Sequence, residues 1–219
     1  MTPDIDAAAI KATETLIKYG VTSAPVSPFR ILKEIPGVIL LTFAELANRT
    51  GDDRSDVISM FDSTSRDVVT SVTRVKGRLC YVITYNQQLP LYVQQRALAR
   101  ELGHIILRHD GSKPEDVRLE ESRVFARHLL CPRPLIAALR DEGVRLTVET
   151  LGNITGCYET CLEDIRVTPG AHVPPELNQM VREQFADYVE NYVTCVPFSV
   201  RDVNRPEADF GTYMDGYAE

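Results

Sequence analysis

The sequence predicts an α+β fold, with a small twisted sheet lying beside a helical bundle. Three observations carry that prediction. Apolar or alternating runs of strand length, Val38 to Phe43, Val68 to Val75 and Arg78 to Tyr85, all fall in the first part of the chain. Lys76-Gly77 separates the last two and marks a hairpin. Beyond Leu91 the apolar residues recur with helical period.

The elements follow in order. Asp4 to Tyr19 reads as a helix with Ile5, Ala9, Leu16 and Ile17 on one side and Gly20 as its stop. Ser27-Pro28 opens a short second helix, since serine caps and proline suits the first turn. Val38 to Phe43 is a continuous apolar run of strand length, and the polar stretch Asn48 to Arg66 reads as a surface insertion. Helices are expected over Leu91–Arg108, over Glu115–Leu130, from Pro134, after a Thr147 cap, and after Gly156. A last amphipathic helix, from Pro174 to Tyr192, should dock through Leu177, Val181, Phe185 and Tyr188. The acidic tail after Val193 has no period.

Composition narrows the function. Of the 219 residues, 44% are apolar and 25% charged, which is ordinary for a globular protein. The net charge of −7 repels nucleic acid and anionic membrane alike. The N-terminal segment has Asp4 and Asp6 and no apolar run, so no secretory signal is expected. Five cysteines without C-x-x-C spacing read as reduced thiols, and a cytoplasmic location is expected.

The segment that carries chemistry is QRALARELGHIIL, residues 95–107. Leu98, Leu102, Ile105 and Ile106 make its apolar stripe, and Arg100, Glu101 and His104 share another face. In H-E-x-x-H, two histidines one turn apart hold zinc and the glutamate activates a metal-bound water. Here the spacing is kept but Arg100 stands in the first histidine's place. Guanidinium has no lone pair to give a metal. Downstream, Glu121 shares a helix side with Phe125 and Leu129. A carboxylate buried there needs a metal, an arginine or other hydrogen-bond donors; alternatively it sits in an exposed first turn.

QRALARELGH together with ESRVFARHLLCP, residues 121–132, resembles the ImmA/IrrE family of zinc metallo-endopeptidases. The resemblance runs from about Ala9 to Ile165 and implies a zincin-like fold. It divides the chain into a metallopeptidase-type domain, 1–168, and a C-terminal helix with acidic tail, 169–219. It implies Glu101 as general base, His104 and Glu121 as zinc ligands, and a protein substrate or partner such as a helix-turn-helix repressor. Arg100 falls on the remaining histidine ligand, so zinc-dependent hydrolysis is expected to be impaired. Arg100 is expected to lie between Glu101 and Glu121 in place of the metal, and Arg100→His to restore zinc binding. Strand Leu79 to Tyr85 is expected to be an edge that receives an extended peptide.

Two other readings remain: an active zinc endopeptidase with an unusual ligand set, and a DNA-binding regulator. The latter rests on a possible helix-turn-helix at Leu146 to Ile165, whose second helix is acidic and disfavours DNA. His109 returns to His104 only if the helix ends before Asp110-Gly111; otherwise it is an exposed or capping residue. His128 reads as a hydrogen-bonded core histidine, and His172 as a loop residue.

Overall fold

The computed structural model describes residues 1–51, 67–156 and 170–195. Helix α1 (Ile5–Lys18) begins where the Asp4 carboxylate accepts the Ala7 amide at 2.9 Å. Its buried face is built from Ala8, Ala9, Ala12 and Leu16. Three small side chains of the four let a neighbouring helix come close, and α1 packs along the helix over Glu115–Leu130. Helix α2 (Pro28–Glu34) is capped by Ser27 and buries Ile31 and Leu32.

Strand β1 (Val38–Thr42) ends one residue earlier than its apolar run, because Phe43 opens a helix. Helix α3 (Phe43–Thr50) has a full capping box. The Thr42 hydroxyl accepts the Glu45 amide at 3.0 Å, and the Glu45 carboxylate accepts the Thr42 amide at 2.6 Å. The surface insertion expected from Asn48 is therefore helical at its start, and the rest of it lies outside the described residues.

Strands β2 (Val68–Val75) and β3 (Arg78–Tyr85) form the expected hairpin. The sheet order is β1-β3-β2, with β1 parallel and β2 antiparallel to β3. Strand Leu79 to Tyr85 is thus paired on both sides and cannot be the peptide-receiving edge the sequence suggested. A ladder already filled by two neighbours has no backbone donors to offer a third strand. Ile83, fully buried, lies beside Leu40 on one side and Thr70 on the other, so these three share the sheet face turned to the helices.

Helix α4 (Leu91–Ile106) carries the motif and packs against α5 (Glu115–Leu130). Gly103 permits their close approach: a Cβ there would lie 3.0 Å from Cδ1 of Phe125. Leu98, Leu102, Phe125 and Leu129 are fully buried between them, as the apolar stripes predict. Helix α6 (Arg133–Asp141) starts at the proline-rich stop of α5. Helix α7 (Val148–Thr155) starts at the Thr147 cap. The helix expected after Gly156, and with it the second half of the possible helix-turn-helix, lies outside the described residues.

The last amphipathic segment is two helices, α8 (Pro175–Gln184) and α9 (Ala186–Cys195), joined at Phe185. Val181 and Phe185 are fully buried as expected and Val189 nearly so, while Leu177 and Tyr188 are half-buried. The Gln184 amide fastens α8 to α1 by donating to the carbonyls of Leu16 and Val21, at 2.9 and 2.6 Å. These helices belong to the same core as α1, α4, α5 and α6. Among the described residues, no helix is long and apolar enough to cross a membrane, and Cys80, Cys131 and Cys195 are free.

Candidate active site

The way helix α4 ends decides the site. Its last turn closes with the Arg108 amide on the Ile105 carbonyl, at 3.2 Å, and the His109 amide on the His104 carbonyl, at 2.9 Å. Arg108 takes the left-handed conformation, φ +54°, that this paired closure requires. Such a cap brings the side chain after the turn back onto the residue five positions earlier. Usually both are apolar; here both are histidines. Nδ1 of His104 and Nδ1 of His109 lie 2.8 Å apart, with ring centroids at 4.9 Å.

On its other side, His109 Nε2 lies 2.8 Å from Oε2 of Glu121. The side chains of His109 and Glu121 are 1% and 2% exposed, so the link is shielded from water. Glu121 is also gripped by Lys113, whose Nζ donates to Oε1 at 2.9 Å and to Oε2 at 2.7 Å. The Asp4 amide, at the mouth of α1, donates to Oε1 at 3.0 Å. Burial alone would push the Glu121 pKa up. Lys113, the Asp4 amide and His109 together outweigh that, and its carboxyl is held below the usual carboxylate range.

Burial lowers the His109 pKa despite the carboxylate beside it. Burial, then His109, Arg118 and Arg100, lowers that of His104 to about 4. Both rings are therefore neutral near pH 7 and carry one proton each. Glu121 is an acceptor only, so His109 Nε2 must donate to it and His109 Nδ1 must accept from His104 Nδ1–H. That assignment follows from the hydrogen-bond network. It leaves the His104 Nε2 lone pair uncommitted, the tautomer a metal-ligating histidine adopts.

Glu101 is positioned by the sheet. The Thr70 hydroxyl, on β2, donates to its Oε2 at 2.6 Å. Burial raises the Glu101 pKa, against the opposing effects of Thr70 and Arg100.

The sequence-predicted residues thus fall into two groups. Glu101 and His104 lie on α4, one turn from each other. Glu121 comes from α5, as expected, but His109 stands between it and His104. Arg100 is half-buried and close enough to influence both Glu101 and His104, but the cation seated on Glu121 is Lys113. At Glu121 this lysine stands where the guanidinium was expected, while Glu101 is held by Thr70. Sequence reasoning missed Thr70, Lys113 and the Asp4 amide, and set His109 aside. The one local signal for His109 was the possible helix end before Asp110-Gly111.

A catalytic zinc ion needs three protein ligands and an open position. Here His104 offers one lone pair, while the Glu121 oxygens are occupied by Lys113, His109 and the Asp4 amide. His109 has spent both ring nitrogens. Among the described residues, no group of three or more His, Cys, Asp or Glu side chains is arranged to hold a metal ion. The donor set in this arrangement does not fit zinc.

The family profile described as the IrrE N-terminal-like domain, a peptidase family, matches residues 58–159. Over those residues the chain is similar to the ImmA/IrrE family. No curated protein and no solved structure matches the chain. The ImmA/IrrE match spans Thr70, Glu101, His104, His109 and Glu121, and leaves α1 with the Asp4 amide outside it. The zincin-like α+β architecture agrees with this similarity: a small mixed sheet lies against the helix that bears the motif.

The buried charges set a pH dependence. His104 and His109 have lowered pKa values in the fold and take up protons on unfolding below about 6.5. Their contribution to stability is complete above that value and falls as pH drops toward the folded values. Glu121, also lowered, acts in the same direction at lower pH: its contribution is present above the unfolded carboxylate value and is lost as pH falls through the folded one. Glu101, raised, opposes them. Denaturant unfolding should therefore show lower stability at about pH 5 than at about pH 7. Equal or greater stability at the lower pH would contradict these assignments.

Proposed function

We propose that this ImmA/IrrE-type protein binds a regulatory protein, of the helix-turn-helix repressor class its family resemblance implies, without hydrolysing it through zinc. The observation that carries the reading is the state of Glu121. A carboxylate that closes a metal site cannot also have its oxygens committed to Lys113 on one side and His109 on the other. What remains among the described residues is a scaffold with Glu101 and His104 in place and no assembled metal centre to activate water.

The partner's approach is assigned to β2. It is one of the two outer strands of the sheet among the described residues, and the one that carries Thr70 against Glu101. Val72 and Val75 on this strand are 58% and 51% exposed. An extended segment added there would run beside the motif helix and present alternate side chains to it.

The test compares binding with cleavage. A candidate helix-turn-helix regulator is mixed with the full chain, with and without added zinc. Complex formation is followed by calorimetry, and fragments by mass spectrometry. The reading expects a complex, no fragments, and unchanged binding in Glu101→Gln. Zinc-stimulated fragments that vanish in Glu101→Gln would instead establish an active peptidase with an unusual ligand set.

A further inference from the structure

We propose that the extended protein segment received at β2 is acidic, with an apolar side chain beside Val72 and a carboxylate at Arg74. The proposal rests on β2 as the partner's line of approach and adds the chemistry by which the partner is chosen.

The hairpin of β2 and β3, residues 68–85, carries Arg74, Lys76 and Arg78 and no Asp or Glu. In a chain of net charge −7 this is a local reversal of the field, and the remainder of the chain is more acidic still. None of the three side chains has a salt-bridge partner among the described residues. All three are exposed. An arriving carboxylate would therefore find cations that no internal acid already holds.

The turn fixes where those cations stand. Lys76 and Gly77 both lie in the left-handed region, φ +50° and +78°, as the two-residue turn that suits a twisted hairpin requires. The register pairs Thr70 with Ile83, Val72 with Tyr81 and Arg74 with Leu79, so all six share the face turned to the motif helix. Along β2 this face reads Thr70, bonded to Glu101, then Val72, then Arg74. Arg74 is four residues from Thr70, roughly 13 Å of strand. A segment laid along β2 with one residue over Glu101 would meet an apolar surface next and a guanidinium after that. Val72 and Leu79 are exposed on this face, and Val75 beside Arg78 on the other.

Two other occupants fit less well. Cations at a sheet edge discourage pairing between copies of one chain. A nucleic acid would gain three cations, gain nothing from Val72, Val75 or Leu79, and meet the repulsion of an acidic protein.

The test uses the full chain and labelled ten-residue peptides of alternating valine and glutamate, or valine and lysine, followed by fluorescence anisotropy. The glutamate peptide should bind at least tenfold more tightly, and more weakly as salt is raised. Arg74→Glu should weaken its binding by about tenfold and strengthen that of the lysine peptide, with thermal unfolding unchanged because Arg74 is exposed. Equal binding of the two peptides, or no effect of Arg74→Glu on either, would overturn the acidic preference and leave strand addition at β2 standing. Binding of the glutamate peptide that survives N-methylation of alternate amides would instead overturn strand addition itself. Absence of binding by both peptides would overturn the proposal, while the regulator titration above would still decide the reading beneath it. Tighter binding of a ten-nucleotide thymidine oligomer, or a dimer in sedimentation that is lost in Arg74→Glu, would overturn it in favour of nucleic acid or of a second copy.

Discussion

Replacing Glu121 with alanine should destabilise the protein by about 3 kcal/mol, the lower end of the cost of breaking a buried ion pair. The side chain is 2% exposed, and its loss strands the His109 N–H, itself in a side chain 1% exposed. It also removes the acceptor that ties the start of α1 to α5 through the Asp4 amide. Lys113 is 35% exposed and can turn to solvent, which keeps the cost from being larger. The milder Glu121→Gln has a distinct signature. If its amide NH₂ faces His109 Nε2, that nitrogen must become an acceptor, and the proton order along His109 and His104 reverses. Nitrogen NMR of the two rings would then show His104 protonated at Nε2. Unchanged stability in Glu121→Ala would mean that the network does not hold α1, α5 and the end of α4 together.

Phe185→Ala should cost about 3–5 kcal/mol, the usual range for removing a buried phenyl ring. Phe185 is fully inaccessible, sits at the junction of α8 and α9, and packs in the same core as Leu16 and Leu139. Its amide and carbonyl also carry the backbone across the junction, bonding to Val181 and from Val189 at 3.0 Å each. Chemical denaturation would measure the loss. A cost below about 1 kcal/mol, typical of a surface site, would show that these helices are an appendage rather than part of the core.

Much of the fold was legible because its signals are local. Asp4, Ser27 and Thr147 announce their helices as caps, and Lys76-Gly77 announces the hairpin. Helix α3 was equally announced, by Thr42 and Glu45 at capping-box spacing, but the apolar Phe43 extended the strand reading past it. Strand order was not legible. Nothing in the alternation of Leu79 to Tyr85 distinguishes a central strand with a half-exposed face from an edge, and β1 pairs with it across an intervening helix.

The site shows the same division. Glu101 and His104 follow from helical spacing, and the need of Glu121 for a cation or donors follows from its place among Phe125 and Leu129. Which cation meets it does not follow. Arg100 is the conspicuous charge in the motif, yet Lys113 reaches Glu121 from the loop between α4 and α5. His109 was set aside because helical geometry turns it away, and the helix stops just soon enough to bring it back. A non-glycine residue in the left-handed region, Arg108, conceals that stop in the sequence.

The account turns on Glu121 being committed to Lys113, His109 and the Asp4 amide rather than to a metal, and metal analysis tests it most directly. Protein purified without chelator should carry well under one equivalent of zinc, about a tenth or less, because one free imidazole lone pair falls short of the three ligands a catalytic ion takes. Arg100→His should not by itself raise the content to one equivalent. This corrects the simple expectation from the motif: a second imidazole on α4 leaves Glu121 still held by its three partners. About one equivalent of zinc in the unaltered protein, surviving dialysis and lost in Glu121→Ala, would contradict the account.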